Sequence, residues 1–156
     1  PAWVLDWSSD TSLWVAPANE DGFHTYVANL GDSRPYLLRE GELQLVTQDH
    51  SWVQEQVREG RLSSIEAEAH YLKNVVTRCV GLDEHVDVDV FQNELREKDR
   101  YLLCSDGLTN MIRPDEIMEA LSGDNLDAMA DDLIERAKIA GGMDNITVVL
   151  VELTRL

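Results

Sequence analysis

Cysteine is scarce: the chain has two, Cys79 and Cys104, far apart and in no C-x-x-C pattern. Such sparse use fits a reducing cytoplasm, the expected location. Cys104 closes the run Tyr101-Leu102-Leu103-Cys104, where a small buried thiol is the default reading. Basic residues are also few: 13 Lys and Arg face 30 Asp and Glu, a formal net charge of -17. A surface of that sign repels nucleic acid backbones and anionic membranes, so neither is an expected partner. No apolar run approaches the length needed to cross a bilayer. Pro1 to Asp6 has no basic region and no small-residue cleavage site, so no signal peptide is read there. A start at Pro rather than Met suggests a trimmed chain or a piece of a longer one.

Several catalytic patterns are missing as well. His24, His50, His70 and His85 show no zinc spacing. There is no G-x-S-x-G elbow and no Gly-rich phosphate loop. Asp49-His50-Ser51 places three catalytic residue types in a row, but triads are built across a fold and not along a chain. Asp49 or Ser51 reads as the cap of a following helix.

What is present is a chain of 156 residues, 44% hydrophobic and 28% charged, enough for one domain with a real core. Leu13 to Ala16 and Phe23 to Leu30 read as a hairpin with Asp21-Gly22 in its loop. Pro35 to Arg39 and Leu43 to Thr47 flank Glu40-Gly41-Glu42 as a second hairpin, with Gly41 free to take positive φ. Ser51 to Glu59 puts Val53 and Val57 on one helical face, and Gly60 stops it. Ser63-Ser64-Ile65-Glu66 is a capping box opening a short helix to about His70.

Alternating Val86, Val88 and Val90 predict a strand over Val86 to Phe91. Arg100 to Ser105 is apolar throughout, as in a strand buried on both faces. Pro114 opens a helix carrying Ile117, Met118 and Leu121. Leu126 to Ile139 gathers Met129, Leu133, Ile134 and Ala137 on one side of another, ended by Gly141-Gly142. Ile146 to Val151 is a final buried strand. The order predicts an α+β fold of layered antiparallel sheets with helices on a face.

Three aspartates leave strand ends beside small or turn-forming residues: Asp32 in Leu30-Gly31-Asp32-Ser33, Asp106 in Ser105-Asp106-Gly107, and Asp144 before Asn145-Ile146. Mg2+ and Mn2+ favour oxygen ligands held with little reorganisation, and strand ends give that stiffness. Each aspartate alone reads more simply as turn chemistry. Three of them flanking core strands shift the balance toward a metal site.

Several segments resemble the metal-dependent protein phosphatase family of type 2C, in its bacterial form. They are Val27 to Arg34 (VANLGDSR), Tyr36 to Arg39 with Gly41, Asp49-His50-Ser51, Val53 to Gly60, Asn74 to Gly81 (NVVTRCVG), Asp99 to Leu108 (DRYLLCSDGL), and Gly141 to Val149 (GGMDNITVV). They follow the family's order and spacing from about Thr11 to Leu153. The resemblance implies a β-sandwich flanked by helices and a single partial domain over 1–156, with a flap-like insert over 51–74. It implies that Asp106 and Asp144 are ligands of a catalytic metal pair, and that Asp32 with Asp106 holds a third, weaker ion. The cofactor would be Mn2+ or Mg2+, two or three ions in the intact site. The reaction would be hydrolysis of phosphoserine or phosphothreonine by metal-activated water. Phosphoproteins and a cognate kinase are the expected partners, and the expected state is a monomer.

The sequence also departs from the family. The N-terminal part of the fold is absent, with its Arg-x-x-Asn-Glu-Asp and Asp-Gly-x-Gly-Gly segments. Asn19-Glu20-Asp21 superficially matches the first, but sits in what reads as a hairpin loop. The chain therefore lacks the bridging carboxylate and the phosphate-binding arginine. Three readings follow: part of an active phosphatase, a truncated or degenerate binding or regulatory module without activity, or an acidic scaffold with no bound metal.

Overall fold

The first strands pair with their sequence neighbours. The computed structural model describes residues 3–5, 11–17, 23–82 and 84–154. Strands β1 (Trp3–Leu5), β2 (Thr11–Pro17) and β3 (Phe23–Asn29) pair antiparallel in turn. The hairpin of β2 and β3 is the one the sequence predicts; Asp21-Gly22 and Asn19-Glu20-Asp21 lie outside the described residues. Strands β4 (Arg34–Arg39) and β5 (Glu42–Leu45) form the second hairpin. Its loop is two residues rather than three, because Arg39 pairs with Glu42. Glu40 and Gly41 take φ of 53° and 82°, the doubly positive geometry that matches strand twist in a tight hairpin.

Helix α1 (Trp52–Arg58) starts at Ser51, whose hydroxyl accepts from the Gln54 N–H. Helix α2 (Ser64–Glu68) has the reciprocal capping box of Ser63 and Glu66. It ends two residues before the expected His70, whose N–H bonds the Ala67 carbonyl and tightens the last turn. Val53 and Ala67 are buried; the rest of α1 is mostly half-buried and the rest of α2 is exposed.

Strand β6 (Asp89–Glu94) corrects the prediction for 86–91. Its register on β3 pairs Val27 with Phe91, Thr25 with Asn93 and Asn29 with Asp89. Val27, Thr25 and Asn29 are buried, so Asp89, Phe91 and Asn93 form the inward column. Val88 and Val90 are left 51% and 63% exposed, and the valine alternation marks the outer side instead.

Strand β7 (Arg100–Cys104) is buried as predicted, and Asp106 begins a single helical turn, α3 (Asp106–Thr109), that the sequence did not announce. Helices α4 (Pro114–Ala120) and α5 (Leu126–Ile139) follow, then β8 (Val148–Glu152). Met118 is 37% exposed, so Ile117, Ala120 and Leu121 carry the α4 packing instead. The last strand begins two residues later than expected, because Ser105 holds residues 145 and 147 by side-chain bonds.

The strands form two four-stranded antiparallel sheets, ordered β1-β2-β3-β6 and β5-β4-β7-β8. Strand β7 divides its side chains between two cores. Tyr101 and Leu103 meet Val27, Leu37 and Phe91 between the sheets. Leu102 and Cys104 meet Leu108, Ile117, Leu133 and Ala137 under the helices. The result is sheet, sheet and helices, held by apolar burial at both interfaces. Among the described residues, no helix is long and apolar enough to cross a membrane.

Candidate metal centre

Antiparallel register brings the predicted residues to one end of the second sheet. Arg34 pairs with Cys104, and Cys104 pairs with Val148. Asp32 lies two residues before the first of these, Asp106 two after the second, and Asp144 four before the third. All three leave the sheet at the same edge.

Asp32 and Asp106 line one cavity of about 670 Å³. Its walls also carry Arg34, Asp49, Ser51 and Glu68, together with Thr109 to Asp115. Burial, then the charges of Asp106 and Asp49, hold the Asp32 carboxyl above its ordinary value; its own backbone and Arg34 pull less strongly the other way. The pocket therefore concentrates negative charge that the protein does not fully neutralise. Asp144 is exposed and is not part of the cavity wall. Its Oδ1 accepts from the Asn145 N–H at 2.7 Å. Its segment is nonetheless stitched to Asp106. The Ser105 hydroxyl donates to the Asn145 carbonyl at 2.9 Å and accepts from the Thr147 N–H at 3.1 Å.

The donor set of the cavity is carboxylate oxygen, which suits a hard divalent cation. Asp32 and Asp106 fit such an ion: their mutual repulsion is what a cation between them would relieve. Among the described residues, no group of three or more His, Cys, Asp or Glu side chains is arranged to hold a metal. Asp32 and Asp106 by themselves do not make up a complete ligand set.

Asp49-His50-Ser51 forms no triad: each member has a separate partner. Ser51 is the helix cap. Asp49, 5% exposed, takes a two-pronged ion pair from Arg34, with Nη2 to Oδ2 at 2.6 Å. Burial pulls the Arg34 guanidinium down, but its bonds to Asp49 outweigh this and hold it above its usual value. His50 is fully buried. Its Nδ1 accepts from the Gly31 N–H at 3.1 Å, and its Nε2 lies 2.9 Å from Asp89 Oδ2. Sequence reasoning missed both contacts, because their partners are 15 to 39 residues away and no local pattern marks them. Cys104 is the inert buried thiol expected, pushed up to about 12 by burial.

The fold is an antiparallel sandwich with helices on one face and acidic residues at one end of the second sheet. A sequence profile described as "Protein phosphatase 2C" matches residues 5–146, and the chain belongs to that family. The family is metal-dependent. "Serine/threonine phosphatase stp" of Listeria welshimeri is 46% identical over 127 residues, covering 81% of this chain and 50% of the relative. The chain thus spans about half the length of that protein. The crystal structure of the Mycobacterium tuberculosis serine/threonine phosphatase PstP/Ppp superposes with a TM-score of 0.84 at 38% identity, covering 93% of this chain and 60% of the other. The catalytic domain of PstP in complex with two manganese ions gives a TM-score of 0.78 at 36% identity, covering 93% and 59%.

Proposed function

We propose that this chain is part of a protein serine/threonine phosphatase whose metal site uses Asp32, Asp106 and Asp144. The observation that carries this reading is the sharing of one polar cavity by Asp32 and Asp106, with Asp32 held above its ordinary value. Asp32 and Asp106 would hold Mn2+ or Mg2+, which would supply charge neutralisation for a phosphoryl group and a water of lowered pKa. The chain's own residues provide orientation. Arg34 is locked by Asp49, which fixes the strand that follows Asp32. The bonds from Ser105 hold Asp144 near Asp106. Lys73 and Arg113 on the cavity wall offer positive charge to a phosphorylated ligand.

In this reading residues 1–156 are a single partial domain, and 51–74 form a flap over the cavity. Val53, Gln54, Ala67, Glu68, Lys73 and Asn74 supply its cavity-facing side. The substrates are phosphoserine and phosphothreonine proteins, a cognate kinase opposes the enzyme, and the protein acts as a cytoplasmic monomer. The test is Mn2+-dependent phosphate release from a phosphothreonine peptide by the full-length protein carrying this chain. Activity lost on Asp106→Ala supports the reading; activity indifferent to both Mn2+ and Asp106→Ala overturns it.

A further inference from the structure

We propose that His50 is a positioning residue for the cation-binding carboxylate of Asp32. This rests on the metal reading above and adds a residue to it.

His50 is fully buried, yet it is not a passive core side chain. The Gly31 amide can only donate, so the Nδ1 it reaches is unprotonated and the ring proton sits on Nε2. That proton is donated to Asp89 Oδ2. Asp89 is held in turn by Arg78, whose Nη1 and Nη2 lie 3.2 and 3.3 Å from its two carboxylate oxygens. The His50 hydrogen bond, followed by Arg78, keeps the Asp89 carboxyl below its ordinary value. The chain Arg78–Asp89–His50–Gly31 therefore ends one residue before Asp32.

The backbone of His50 adds two further ties. Its N–H donates to the Gly31 carbonyl at 2.9 Å, and its carbonyl accepts from the Thr77 N–H at 2.7 Å. Gly31 is thus gripped at both its amide and its carbonyl by one residue. Gly31 takes φ of 103°, a conformation that side-chain-bearing residues rarely adopt. This φ turns the chain out of β3 and aims Asp32 at the cavity. An imidazole held rigid on its far side fixes that turn, in the way an outer partner orients a metal ligand. Ser51, the first residue of the 51–74 segment, directly follows His50 in the chain, and Thr77, three residues past its end, donates to the His50 carbonyl. Asp32, the start of that segment and the chain just past its end therefore share one anchor.

Two substitutions separate the bond from the space it fills. In His50→Asn the side-chain oxygen lies near the Nδ1 position and still accepts from Gly31. In His50→Gln the amide reaches toward Asp89 and leaves the Gly31 N–H unpaired. The measurement is Mn2+ titration of the 15N-labelled full-length protein carrying this chain, read as paramagnetic broadening of the Asp32 and Asp106 amides. Circular dichroism and the thermal midpoint of each variant monitor folding. The expected result is about tenfold weaker Mn2+ binding in His50→Gln and a loss under about threefold in His50→Asn, with a shifted Gly31 amide in the first only. Equal losses in both, or none in either, overturn the proposal. If neither variant folds, Asp89→Ala, at a half-exposed position, serves instead. It frees Nε2 and should weaken Mn2+ binding while moving the Gly31 amide; unchanged binding overturns the role of His50. A wild-type chain that never broadens at Asp32 and Asp106 defeats the metal reading itself. Wild-type binding that His50→Gln leaves intact defeats only the inference about His50.

Discussion

The backbone of Gly107 lies so close to Asn145 that a Cβ at position 107 would sit 2.2 Å from the Asn145 carbonyl oxygen. This contact locks the turn carrying Asp106 onto the segment carrying Asp144. Glycine is needed there for space, not for an unusual φ. Gly107→Ala should destabilise the fold by about 1–3 kcal/mol, the usual scale for overpacking a tight contact. Urea denaturation measures this directly. A variant as stable as the wild type would show that the contact is loose.

Asp32 supplies a pH-dependent prediction. Its folded-state value is raised, first by burial and then by Asp106 and Asp49. A raised carboxyl favours folding fully below its unfolded value of 3.8, and that contribution is lost as pH rises through the folded value. Ionised Asp32 is thus a liability in the metal-free protein at neutral pH. Asp32→Asn should be more stable than wild type at pH 7 without metal, with an advantage that shrinks as pH falls toward 3.8. Thermal midpoints across pH, with chelator present, provide the comparison. A variant less stable than wild type at pH 7 contradicts the electrostatic account.

Arg34 and Asp49 make a pair in which one side is nearly fully shielded: Asp49 is 5% exposed and Arg34 30%. Asp49→Ala removes bonds between charged groups and leaves the guanidinium unpaired, at a cost of about 1.5–3 kcal/mol. It also removes one of the charges that raise Asp32, so the Asp32 carboxyl should move back toward its ordinary value. Carboxyl 13C titration by NMR follows that movement, and an Asp32 that stays put would assign its shift to burial and Asp106 alone.

Ser63 tests a local element near the cavity. Its hydroxyl accepts from the Glu66 N–H while Glu66 accepts from the Ser63 N–H at 2.8 Å. Ser63→Ala should weaken α2 by about 1 kcal/mol. Faster hydrogen exchange confined to residues 64–70, with β7 and α5 unchanged, is the expected pattern; uniform acceleration contradicts a local role.

Local chemistry made much of this fold legible. The spacing of Met129, Leu133 and Ala137 marks α5 to its observed ends. Ser63 and Glu66 mark the start of α2, and Gly41 marks a hairpin turn. What failed had a tertiary cause. Val86, Val88 and Val90 alternate like a buried face, but pairing with β3 starts at Asp89 and turns Val90 outward. The turn α3 is four residues long, too short for any periodic signal. In the site, Asp32 and Asp106 were visible as carboxylates at strand ends. His50 and Asp49 were not, because their roles depend on Gly31, Asp89 and Arg34, brought near only by folding.

The most direct test of the metal site is anomalous diffraction from crystals grown in MnCl2. The account predicts manganese in the cavity, in contact with carboxylate oxygens of both Asp32 and Asp106. Manganese bound only elsewhere on this acidic surface, with that cavity filled by water, would contradict it.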